Sequence, residues 1–172
     1  MKRIISFLLI LAIGTFSINS FAFQNEPDGF RGIKWGTKIE TLRNMIKYAV
    51  QGDVVIYARH NDKLQIGNAE LKGIYYFFWQ DKFCSVSIKA KEDSNCIALK
   101  EEAVARFGNG KQYSEYFESY TWGNISTGKT FMLFKYNRLS SEARFIMYSV
   151  KIWLMQDKDN KKKAKEGAES DS

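Results

Sequence analysis

Histidine is nearly missing from this chain of 172 residues: His60 stands alone, and there are only two cysteines, Cys84 and Cys96. A structural zinc site takes four Cys, His or carboxylate ligands at short spacings, and this set supplies nothing of the kind. Asp157 with Asp159, or Asp53 with Asp62, lacks the glycine and distal glutamate of a calcium loop. No cofactor is expected. His60 shares a polar turn with Asp62, which suggests a general base oriented by a carboxylate. No serine or cysteine nucleophile is identifiable as its partner, so an exposed loop histidine is the plainer reading. A hydrolase built on that turn, or on Glu115 with Glu118 or Glu101 with Glu102, stays the remoter alternative. Proline is almost as scarce, with Pro27 the only one. The glycines at 29, 32 and 36 around it fit neither the dinucleotide-binding nor the phosphate-loop pattern, which argues against a nucleotide cradle.

Long apolar runs are also lacking beyond the N-terminus. There Lys2 and Arg3 precede an apolar run from Ile4 to Phe16, and Ser20-Phe21-Ala22 is a small-x-small cleavage pattern. Residues 1–22 read as a secretory signal peptide, too short in its apolar run for the roughly 20 residues of a spanning helix. No cysteine stands at the cleavage point to carry lipid, so the expectation is a periplasmic protein with no transmembrane span after cleavage.

Cleavage leaves 150 of the 172 residues, the size of one domain, expected over 23–156. The 26 basic and 19 acidic residues lose Lys2 and Arg3 to the leader, so the mature chain carries 24 against 19, or +5. The charged stretch 157–172 balances its signs and reads as a disordered tail, which leaves the positive excess on the folded part. That excess favours anionic surfaces, including weak contact with an anionic membrane. An exported chain rarely meets nucleic acid, so no nucleic-acid partner is expected.

What the chain does have is aromatic and β-branched sequence. Leu71 to Ala90 predicts a hairpin broken at Gln80, Asp81 and Lys82. Its first arm is apolar on both faces, with Tyr75, Phe77 and Trp79 opposite Ile74, Tyr76 and Phe78. Its second arm is one-sided, with Cys84, Val86 and Ile88 opposite Ser85, Ser87 and Lys89. Thr37 and Glu40 form a capping box for a helix carrying Ile39, Leu42, Ile46 and Ala49. A second helix runs from Ser94 along Cys96, Leu99, Ala103 and Phe107 to a stop at Gly108. Strands are expected over 53–58, 64–66, 115–122, 129–136 and 143–155. The sum is an α+β domain: an antiparallel, meander-rich sheet of five to seven strands with two helices packed on one face. Both cysteines fall on expected buried faces; a bridge between them and two free thiols both remain open.

The segment Phe30-Arg31-Gly32-Ile33-Lys34-Trp35-Gly36-Thr37 resembles the mature N-terminus of small exported bacterial proteins of uncharacterised function. The resemblance spans roughly 20 residues. It implies export and a lone small domain, and attaches no activity or site.

Aromatic residues make up 15% of the chain; they either form the core between sheet and helices or exceed what two helical stripes and the inner strand faces bury. Tyr116, Tyr120 and Trp122 alternate along one strand, and Trp153 follows Lys151 on another. If those strands are neighbours, they form an aromatic and basic patch. The function expected is therefore a non-catalytic binding module taking an unknown protein or a small apolar ligand on its sheet. Peripheral attachment to anionic lipid is the alternative.

Overall fold

The computed structural model describes residues 23–114 and 118–170, so the expected signal peptide lies outside the described residues. Two short strands, β1 (Gly29–Phe30) and β2 (Ile33–Lys34), open the chain and are followed by a 3-10 turn over Ile39–Thr41. Next come β3 (Met45–Gln51), β4 (Val54–Arg59) and the small pair β5 (Gln65–Ile66) and β6 (Ala69–Glu70). The central hairpin is β7 (Gly73–Trp79) and β8 (Lys82–Lys91), after which α1 spans Asp93–Phe107. The chain closes with β9 (Lys111–Ser114), β10 (Glu118–Trp122), β11 (Thr130–Asn137), β12 (Glu142–Ser149) and α2 (Val150–Ser170). None of the described helices is long and apolar enough to cross a membrane.

The α+β class holds, but the sheet has eight strands rather than five to seven, in the order β3-β4-β7-β8-β12-β11-β10-β9. Every neighbouring pair is antiparallel. Two meanders meet at one seam. The first runs β3-β4-β7-β8, the second runs β9-β10-β11-β12, and α1 carries the chain from the centre to the far edge so that β12 returns beside β8.

Alternation along β7 sorts its side chains between two faces. Ile74, Tyr76 and Phe78 join Val86, Ile88, Phe134, Phe145 and Met147 in the main core. The buried stripe Cys96, Leu99 and Ala103 of α1 covers this core, as its helical spacing requires. The N-terminal lead-in straps the same face, where Trp35 Nε1 donates to Thr130 Oγ1 at 2.7 Å. Asp62 is held there too, accepting from the Tyr76 hydroxyl at 2.6 Å and pairing with Arg31. On the second face, Trp79 and Cys84 pack with Ile152 of α2, flanked by Val54 and Phe77. The cysteines therefore sit on opposite faces, both buried and free.

Four expectations need correction. The two helices do not share one face of the sheet: α1 covers the main core, whereas α2 packs on the second face. The helix expected from Thr37 is only a 3-10 turn, because the Thr37 carbonyl accepts from Phe83 N and the Gly36 N–H donates to Phe83 O. Those tertiary bonds engage the backbone where the helix would start, and Asn44 at φ 63° redirects the chain into β3. The strand expected to Met155 ends at Ser149, whose Oγ accepts from Ile152 N at 3.4 Å and caps α2. The expected tail from 157 is the rest of α2. Asp157–Lys161, Asp159–Lys163, Lys162–Glu166 and Lys165–Glu169 lie one helical turn apart along it.

Candidate functional site

Of the residues expected to form one aromatic and basic patch, the four that are described do not share a surface. Trp122 is 3% exposed, with its ring against Phe145 and its Nε1 donating to Gly108 O. Tyr120 lies beside it on the main-core face, with Lys100 Nζ 5.4 Å from its ring centroid. Lys151 and Trp153 belong to α2, not to a strand, and Trp153 packs on Tyr148 across the second face. Tyr116 lies outside the described residues. His60 is exposed, and its expected partner Asp62 is engaged by Arg31 and Tyr76. Among the described residues, no group of three His, Cys, Asp or Glu is placed to hold a metal.

The second face changes character along its strands. Near α2 it is aromatic, with Phe131 and Tyr148 at 5.3 Å between ring centroids. One step on, Ile146 opposes Leu133 and Ser87. A further step along is a row of like charge: Lys89 of β8 is the register partner of Arg144 of β12, and Arg144 is the register partner of Lys135 of β11. Directly opposed residues on one face stand close enough for their charges to be felt, and like charges there are destabilising.

The ends of the row are also defined. Beyond Lys135 the partner on β10 is Ser119. That residue is 3% exposed, and its Oγ has no hydrogen-bond partner. Beyond Lys89 the partner on β7 is Gly73. A Cβ at Gly73 would come within 3.0 Å of the Tyr75 ring, so the absence of a side chain lets that ring lie across the strand. Lys89 Nζ is 5.0 Å from the Tyr75 ring centroid. The row crosses a groove of about 1130 Å³ that Lys72, Lys91 and Arg138 also line.

Two carboxylates border this groove, Glu118 and Glu142, and both are already engaged. Glu118 accepts from Lys100 and from Arg138, at 2.7 and 2.8 Å. Glu142 is 3.9 Å from Lys91. Among the described residues, Lys72, Lys89, Lys135 and Arg144 have no carboxylate in ion-pair reach. Four cations therefore line one concavity with no paired carboxylate among the described residues.

Sequence reasoning saw Lys89 on the polar side of its strand, but did not single out Lys135 or Arg144. The available signal was strand parity. Each sits on the face opposite its strand's most buried apolar residues, although Lys135 shares its face with Phe131 and Leu133 and Arg144 with Ile146 and Tyr148; which strands neighbour one another depends on the α1 crossover, which local pattern does not reveal. No family model, no curated protein and no solved structure matches this chain.

Proposed function

We propose that the protein is an exported, non-catalytic binding domain that holds an anionic ligand against the second face of its sheet. One observation carries this reading: the in-register row Lys89–Arg144–Lys135, with no carboxylate interposed. Each like-charged opposition weakens a sheet by up to about 1 kcal/mol, so folding alone does not favour the row. A bound anion reverses the sign of that interaction. The leader-like residues 1–22 support export, and the engagement of Asp62 by Arg31 and Tyr76 speaks against a His60 base.

The test compares wild type with Arg144→Gln at low salt, using citrate as a trivalent probe. Without citrate, Arg144→Gln is expected to melt higher than wild type, because its central repulsion is gone. Citrate at low millimolar concentration should raise the wild-type melting temperature and leave the variant nearly unmoved. Any gain common to both proteins reports general exclusion of the salt from protein surface. Equal citrate shifts, or a variant that melts lower than wild type, would remove the row as a binding site.

A further inference from the structure

Resting on that reading, we infer that the ligand is an oligosaccharide bearing several anionic groups, laid across the strands in the groove. The length of the row calls for more than one charge. From Lys89 to Lys135 it crosses two inter-strand spacings, about 10 Å. A single small anion bridges two neighbouring cations and leaves the third without a partner, so the match is a molecule that repeats its charge. The groove's 1130 Å³ is also more than an inorganic anion fills.

The chemistry of the floor selects the scaffold that carries those charges. The floor strands β8, β12, β11 and β10 each have a partner on both sides, so their backbone N–H and C=O groups are committed to the sheet. An extended acidic peptide gains affinity largely by adding its own backbone to a sheet edge; the strands that carry the row offer none, and the edge strand β9 touches the groove only at its far rim. On those strands only side chains remain, namely ammonium and guanidinium groups and aromatic rings. Those are the groups that meet hydroxyls, ring faces and acidic substituents of a sugar. Tyr113 stands at the far rim, 77% exposed, with its ring open to a sugar face. A planar bilayer would meet the exposed Arg144 and Lys135 more readily than the half-buried Lys89, and so would engage the row only in part.

The test uses two probes with four carboxylates each on different scaffolds, tetragalacturonate and an N-acetylated, C-amidated tetraglutamate peptide, followed by calorimetry at low salt. Phosphatidylglycerol vesicles form a third arm. Tetragalacturonate should bind at least roughly tenfold more tightly than tetraglutamate, a difference of about 1.4 kcal/mol. Lys135→Gln should weaken that binding, and Tyr113→Ala should weaken it for the saccharide alone. Equal or tighter binding of tetraglutamate, or capture by vesicles without saccharide binding, overturns the saccharide assignment while the anion site stands. If no probe binds and citrate gives wild type and Arg144→Gln equal shifts, the underlying site fails as well.

Discussion

Cys84 and Cys96 show how residue chemistry follows from the face a side chain occupies. Cys84 donates its Sγ to Phe77 O at 3.2 Å, and burial pushes its thiol up to about 12. Cys96 is fully buried beneath α1, and burial raises its thiol as well. A thiol must ionise to react, so both should resist alkylation in the folded protein at pH 8. Intact mass after unfolding should show two adducts whether or not reductant came first; a requirement for reductant would place a disulfide where the structure has two free thiols. The same scale sets the limit on reading the site from sequence. Lys89, Lys135 and Arg144 are unexceptional singly, since a lysine on the polar side of a strand is ordinary surface. Their meaning comes from register: 55 residues of sequence separate Lys89 from its partner Arg144, and the two meet only because β12 returns beside β8.

Elements whose identity is settled locally were legible in the sequence. The central hairpin was readable from its aromatic and β-branched arms, although Gln80 and Asp81 both take positive φ, 47° and 59°, where Asn-Gly would be usual. α1 was readable from its stripe and from Gly108, which ends it at φ 78°. β3 and α2 were not, for opposite reasons. In β3 a good capping box lost to hydrogen bonds with Phe83, a partner distant in sequence. In α2 the local signal was present, as charges spaced one turn apart, but composition suggested solvation instead. Only the first turn of α2 is anchored in the second-face core, through Ile152. Ile152→Ala should therefore cost about 2–5 kcal/mol in urea denaturation. Truncation after Gln156 removes exposed pairs such as Lys163–Asp53 and should cost no more than about 1 kcal/mol. A large loss on truncation would mean that the helix body supports the sheet.

At the scale of the whole molecule, the formal charge of +7 for the full chain makes its few well-held carboxylates matter in acid. Burial alone would raise the Glu118 carboxyl, but hydrogen bonds from Lys100 and Arg138 hold it below the usual carboxylate range. The Tyr136 hydroxyl, and after it Ser141, hold Asp93 low as well. Both groups are lowered in the folded state. The stability they bring is thus fully present above the unfolded carboxylate range, near pH 4, and is lost as pH falls through their folded values. The urea midpoint should stay level from pH 8 to 6 and decline below about pH 4, with a shallower decline in Glu118→Gln. An unchanged acid slope in that variant would show that Glu118 is not among the groups responsible.

The seam between the two meanders also bears on how the chain folds. Every other pairing in the large sheet joins strands that follow one another within a meander, whereas β8 must wait for α1 and three further strands before β12 reaches it. Non-local pairing of this kind is slow, because chain entropy is lost before contacts reward it. Docking of the two halves is thus the late step, and the cationic row straddles it, with Lys89 on one half and Arg144 and Lys135 on the other. A ligand gripping all three acts as a latch across the last joint to close, slowing separation of the halves far more than fraying of the outer strands.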